Sequence, residues 1–185
     1  MTVNRLTVIA GPTAVGKGTV VRWLLAQDPN IQVSVSATTR EPRPGEVHGE
    51  SYYFVSNEEF DQMIRNGELL EHAVVHGQNR YGTPREPVEA ALESGKQVIL
   101  EIDLQGARQI RQSMPAANLI FIAPPNWKEL ERRLATRGTE TPEQIAIRLL
   151  TAEQEMAAQG EFHHVVINHE VAQCGQEVLD LMQAS

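Results

Sequence analysis

The stretch Gly11-Pro12-Thr13-Ala14-Val15-Gly16-Lys17-Gly18-Thr19 constrains this chain more than any other. It follows Leu6-Thr7-Val8-Ile9-Ala10, a short apolar run of strand-forming residues. It precedes Val20-Val21-Arg22-Trp23-Leu24-Leu25, whose apolar positions recur three and four apart as on a helix. Gly11, four residues, Gly16 and Lys17, set between strand and helix, have the spacing of a phosphate-binding loop. There, backbone N–H groups converge on an anion, the helix N-terminus adds partial positive charge, and the lysine reaches the β- and γ-phosphates. The hydroxyl expected directly after the lysine is absent: Gly18 stands there, and Thr19 comes one position later. That displacement weakens the case for direct magnesium ligation by the hydroxyl, and leaves Thr19 as the candidate for it.

A chain of 185 residues, 41% hydrophobic, suits one domain with a substantial core. The N-terminus carries no cationic segment followed by a long apolar run. No stretch approaches the roughly 18 apolar residues that span a bilayer. A cytoplasmic protein without a membrane partner is expected. The single cysteine, Cys174, has no ligand-spaced Cys or His neighbour and reads as a small core residue. A formal charge of −8 opposes nonspecific binding to nucleic acid. A small anionic substrate remains open, because charges are screened within about 8 Å and a local arginine cluster decides what happens in its own pocket.

The strand and helix of the loop end at Asp28-Pro29-Asn30, and Ile31 to Ala37 alternates as one half-exposed strand. Ser36-Ala37-Thr38-Thr39-Arg40-Glu41-Pro42-Arg43-Pro44-Gly45-Glu46 then places two arginines and several hydroxyls and carboxylates on irregular backbone, either a ligand loop or a solvated turn. Strands are expected at Tyr52 to Val55 and Leu69 to Val75, with a helix capped by Ser56 and Glu59 between them. His76 to Thr83 reads as a loop, and Pro84 to Glu93 as a helix. Lys96 to Asp103 is a buried-strand pattern ending in Glu101 and Asp103. An acid at that end of a parallel strand suits magnesium, or it caps the following helix. Leu119 to Ala123 is a second core strand. Arg132, Arg133 and Arg137 precede Gly138, and Arg148 follows Pro142, with Thr141 and Gln144 at capping-box spacing. Arginines on both sides of a glycine suit a lid over phosphates, or they are ordinary helix-surface charge. Val165 to Ile167 and Glu170 to Gln183 supply a last strand and helix.

The phosphate loop, the Ser36 to Glu46 segment, Tyr52-Tyr53-Phe54-Val55, Glu101-Ile102-Asp103-Leu104-Gln105-Gly106 and Arg137-Gly138-Thr139-Glu140-Thr141 together resemble the signature segments of guanylate kinases, in order and over nearly the whole chain. The resemblance implies an α/β P-loop nucleoside monophosphate kinase fold: a parallel-sheet core (about 1–33, 96–125 and 163–185), a strand-rich GMP-binding insertion (about 34–95) and a helical lid (about 126–162). It implies transfer of the γ-phosphoryl group of ATP to GMP, with magnesium. By resemblance, Gly11 to Thr19 and Arg133 would bind ATP, with Arg133 against adenine. Arg40, Arg43, Tyr52 and Tyr81 would hold the GMP phosphate, within a binding segment that includes Glu46. Glu71 and Asp103 would accept from the N1 and N2 hydrogens of guanine, with Ser36 and Thr83 near O6. Lys17, Arg40, Arg137 and Arg148 would offset the developing charge, and Glu101 would serve the magnesium side together with Thr19.

Two departures from the family pattern stand out. The loop from Gly77 to Tyr81 is one residue longer than the common spacing, with Arg80 where a tyrosine is often found. Gly18 replaces a frequent serine. The competing readings are a ribose-phosphate kinase of related fold and a catalytically silent phosphopeptide-binding module. Gly16, Lys17, Arg40, Arg137 and Arg148 argue against the second, and Glu71 with Ser36 against the first. A monomer or homodimer is expected.

Overall fold

The computed structural model describes residues 5–75, 79–136 and 141–184. Its core is a five-stranded sheet in the order β2-β7-β1-β8-β9, parallel throughout. Those strands are β1 (Leu6–Ala10), β2 (Ile31–Val33), β7 (Gln97–Glu101), β8 (Asn118–Ala123) and β9 (His164–Ile167). β1 and β8 are buried along their whole length, which is why both read as continuous apolar runs.

The period of two sorts these strands into two faces. Leu6, Val8 and Ala10 point with Val98, Leu100, Leu119 and Phe121 toward Val88 and Ala91 of α3 (Arg85–Glu93) and Ala107 and Ile110 of α4 (Leu104–Ser113). Ile9, Ile99, Ile120 and Ile122 point the other way. They meet Val20 and Leu24 of α1 (Lys17–Gln27) and Cys174, Val178 and Met182 of α7 (Val171–Gln183). Cys174 is fully buried, as its reading as a core residue requires, and burial pushes its thiol up to about 11.

A second sheet, β4-β3-β6-β5, is inserted between β2 and β7. Its strands are β3 (Ala37–Thr38), β4 (Tyr53–Phe54), β5 (Leu69–Val75) and β6 (Asn79–Pro84). β3 and β4 are parallel, whereas β6 runs antiparallel to both β3 and β5. α2 (Asn57–Arg65) begins at the expected capping box, Ser56 with Glu59, and covers this sheet with Phe60.

Two expectations are corrected here. Ile31 to Ala37 is not one strand: the chain leaves the core sheet after Val33 and joins the second sheet at Ala37. The segment after Gln78 is not a loop, because Asn79 to Pro84 is held by hydrogen-bonding partners on both sides. Gly82 does not break that strand; a side chain there would collide with Leu69 and the carbonyl of Glu71. His76, Gly77 and Gln78 lie outside the described residues.

α5 (Trp127–Thr136) and α6 (Pro142–Ala157) share a small apolar contact through Leu130, Leu134 and Ala152. α6 starts at the expected Thr141 and Gln144 capping box.

The helix that carries Lys17 is seated on α7 by a close approach. A Cβ at Gly175 would stand 2.3 Å from Cε3 of Trp23. Gly175→Ala is expected to destabilise the fold by about 1–3 kcal/mol through overpacking. Urea denaturation should show a lowered midpoint with an unchanged slope.

Candidate active site

The loop after β1 opens where its neighbours β7 and β8 diverge to opposite sides, the switch point at which open α/β sheets bind ligands. Gly11 and Gly16 have φ of +146° and +102°, and a side chain at Gly11 would overlap the carbonyl of Ile122. Gly16 is the N-cap of α1 and offers no side-chain acceptor, so the first N–H groups of the helix have no side-chain cap. Lys17 folds back over the loop and donates from Nζ to the carbonyls of Gly11 (2.5 Å) and Pro12 (3.1 Å).

The loop is held from outside by two residues. Asn168, just after β9, donates from Nδ2 to the Val15 carbonyl at 2.8 Å, while Arg133 donates to the same carbonyl at 3.0 Å and to the Asn168 carbonyl at 3.1 Å. Arg133 also pairs with Glu129 at 2.8 Å. Hydrogen bonds from Arg132 and then Arg133 hold that carboxyl down at about 2. The edge of Arg133 is thus used to brace the phosphate loop. Arg132, exposed and paired with Glu129 at 2.7 Å, is the ordinary surface charge that its helix position allowed. Ala14 packs against the apolar contact of α5 and α6, and Arg148 Nη1 comes within 3.5 Å of Thr13 Oγ1. Arg137 lies outside the described residues, as do Gly138, Thr139 and Glu140.

Across the cleft, the second sheet presents Ser36, Tyr52, Glu71 and Tyr81. Glu71 and Thr83 are direct cross-strand partners in β5 and β6, so their side chains share a face. Thr83 Oγ1 donates to Glu71 Oε1 at 2.6 Å, and both residues are buried. Burial is the main cause that raises the Glu71 carboxyl to about 7; the Asp103 charge adds to it and the Thr83 hydroxyl opposes it.

Arg40 is held in place by Glu46, which accepts from Nη2 at 2.9 and 3.0 Å and from the Arg43 amide at 2.7 Å. Its guanidinium lies 5.3 Å from the centre of the Tyr52 ring. Glu46 therefore organises the loop through Arg40. Arg43 has an exposed side chain and is not among the residues that line the cleft.

Asp103 is the N-cap of α4, the capping role its position at a strand end allowed, accepting from the Gly106 amide at 2.9 Å, and it lines the cleft as well. Glu101 ends β7 beside the first turn of α1, where a Cβ on Gly18 would come within 3.7 Å of its Oε1. Loss of water raises its carboxyl, opposed by Lys17 and Arg22.

One cleft of ≈ 440 Å³ collects Thr13, Lys17, Ser36, Tyr52, Glu71, Tyr81, Glu101 and Asp103. Thr19 is not among its lining residues. Its side chain is exposed and its hydroxyl accepts from Arg22 at 3.1 Å, because the helix turns position 19 outward. Sequence reasoning missed Asn168 and Glu155. The first follows a parallel strand at the ligand-binding edge, which was the available signal. The second lies on α6 and faces the cleft, where burial raises its carboxyl to about 7.

A phosphate loop at the switch point of a parallel sheet, facing an inserted sheet that carries the buried Glu71 and a tyrosine-backed arginine, defines a P-loop nucleoside monophosphate kinase. The comparisons agree. The guanylate kinase family profile matches residues 3–185. The guanylate kinase of Leifsonia xyli subsp. xyli is 60% identical over 97% of this chain and 70% of its own length. That of Streptomyces coelicolor is 57% identical over 96% and 89%. The crystal structure of guanylate kinase from Anaplasma phagocytophilum superposes with a TM-score of 0.78 at 33% identity, covering 97% of this chain and 85% of that one. A gluconokinase from Sinorhizobium meliloti, at 15% identity and a TM-score of 0.52, shares the fold alone. The chain belongs to the guanylate kinase family.

Replacing Thr83 by Val removes a hydrogen bond that favours the ionised Glu71. The midpoint of Glu71, followed by carbon NMR of its labelled carboxyl, is expected to move above about 7.

Proposed function

We propose that the cleft is divided between an acceptor side on the second sheet and a donor side at the phosphate loop. As a guanylate kinase, the chain transfers the γ-phosphoryl group of ATP to GMP and forms ADP and GDP. The observation that carries the division is the lining of a single cleft by Lys17 from one side and by Glu71 with Asp103 from the other.

On the acceptor side, Glu71 and Asp103 accept from the N1 and N2 hydrogens of guanine, with Ser36 near O6. Adenine has a lone pair at N1 and no 2-amino group, so the same carboxylates meet a mismatched edge and lose their partners. Thr83 works through Glu71, to which it donates. Arg40, steadied by Glu46 and Tyr52, holds the GMP phosphate together with Tyr81 and Arg43.

On the donor side, Gly11 to Gly18 wrap the ATP phosphates, Arg133 and Asn168 keep that loop in shape, and Lys17 leaves its own carbonyls for the phosphate oxygens. Transfer needs alignment and charge stabilisation more than covalent chemistry. The attacking oxygen of GMP is already ionised near neutral pH, so no general base is assigned. Lys17, Arg40, Arg137 and Arg148 offset the charge spreading over the transferred group. The helices from about 126 to 162 form the lid that excludes water, over a core of about 1–33, 96–125 and 163–185 and an insertion of about 34–95.

The carboxylate of Glu101, at the end of β7 beside the first turn of α1, suits a magnesium ion, which retains several waters and takes one or two carboxylates plus substrate phosphates. Glu101, beside the side-chain-free Gly18, would hold it through water. When bound, it would neutralise part of the charge on the substrate phosphates. Thr19 receives no metal role. Among the described residues no helix is long and apolar enough to cross a membrane, and a cytoplasmic setting suits the reading.

Lys17→Ala is expected to lower kcat by about 10²–10³-fold while GMP still binds the folded protein, as measured by coupled ADP formation and by calorimetry. A second expectation concerns pH. Guanine needs an ionised Glu71, whose folded-state midpoint is about 7. Inhibition by guanosine, which has no phosphate to titrate, should therefore strengthen as pH rises through that value and weaken about tenfold per unit below it. Glu71→Gln should abolish this limb. Because that midpoint lies above the ordinary 4.5, the same group makes stability fall between those two pH values as pH rises.

A further inference from the structure

We propose that Gly106 is a positioning residue for guanine recognition: the missing side chain on the first turns of α4 leaves the seat that the Glu71 carboxylate occupies. The inference rests on the assignment of Glu71 to the guanine base. A Cβ built at position 106 would lie 2.4 Å from Glu71 Oε2, an overlap that real side chains do not tolerate, and 3.0 Å from its Cδ, a tight contact. Its next contact, Ile102 Cδ1 at 3.3 Å, is tight but belongs to a side chain that can give. Position 106 is in the first turn of α4, and helical backbone in general favours alanine over glycine. The glycine thus runs against local preference, and the carboxylate is what it accommodates.

Glu71 is held on its other sides. On one side Thr83 Oγ1 donates to Oε1 at 2.6 Å. Next to it in β5, the His72 amide donates to Gln109 Oε1 at 3.1 Å, and Gln109 Nε2 donates to the His72 carbonyl at 2.7 Å. That pair of hydrogen bonds ties the strand to α4, so a methyl group at 106 would displace the end of the Glu71 side chain and leave the strand in place. Displacing a flexible terminus costs the fold little. It moves the acceptor away from the base edge.

The test compares Gly106→Ala, Glu71→Asp, Glu71→Gln and the double variant Gly106→Ala/Glu71→Asp, with GMP and IMP as acceptors. IMP keeps the N1 hydrogen and lacks the 2-amino group. Gly106→Ala is expected to raise the KM for GMP about tenfold, the effect of spoiling a hydrogen bond to a charged acceptor, and to narrow the preference for GMP over IMP. The KM for ATP should not change. The shorter side chain introduced by Glu71→Asp should recover part of the loss in the alanine background, so that the two substitutions are not additive. Wild-type GMP and IMP kinetics in Gly106→Ala, alongside a loss in Glu71→Gln, would overturn the proposal and keep the guanine assignment. Unchanged kinetics in Glu71→Gln would overturn both. If Gly106→Ala fails to fold and adding Glu71→Asp does not restore it, the glycine serves helix packing and the proposal is wrong.

Discussion

The carbonyl oxygen of Ile122 lies where a side chain at position 11 would have to stand, and the donor half of the site depends on that contact. It exists because β1 and β8 pair in parallel and are buried on both faces, so the loop that leaves β1 passes directly over the end of its neighbour. Only a residue without a side chain, in a positive-φ conformation, can make that passage. Once the chain turns there, Lys17 and the open N-terminus of α1 fall at the switch point of the sheet. The apolar packing of α1 on α7 then fixes their direction.

The acceptor half is organised by an opposite constraint, the gathering of negative charge. Glu71 comes from the inserted sheet and Asp103 from the end of a core strand, and they meet beside the first turn of α4. Asp103 is steadied by capping that helix, whereas Glu71 is buried against it and keeps its carboxyl near 7. On the proposed reading the pair accepts two hydrogens from one base edge, and a desolvated acceptor such as Glu71 discriminates better there than one that water satisfies equally well. The raised carboxyl is the electrostatic consequence of that burial.

Much of the fold is legible in local sequence. The capping boxes at Ser56 and Thr141 start helices where they should, and the continuous apolar runs of β1 and β8 are buried strands. The failures have a common physical origin. Ile31 to Ala37 alternates as one strand would, yet its two ends hydrogen-bond to different sheets. Asn79 to Pro84 has the composition of a loop and becomes a strand because β3 and β5 flank it. Strand pairing is a contact between distant segments, and neither propensity nor periodicity encodes the partner.

The same division holds for the site. Local sequence dictated which residues could handle phosphate, because glycine spacing and a lysine at a helix start carry their chemistry with them, whereas a base-reading role for Glu71 and Asp103 was implied only by the resemblance to guanylate kinases. Packing assigned their uses. It turned Thr19 to solvent beside Arg22, set Arg133 and Asn168 as braces for the phosphate loop, and made Glu46 the partner of Arg40. It also laid the Glu71 carboxylate over Gly106, which lies far along the chain on a different element. Those outcomes depend on what lies opposite each side chain after packing, and a linear chain does not specify distances across a cleft.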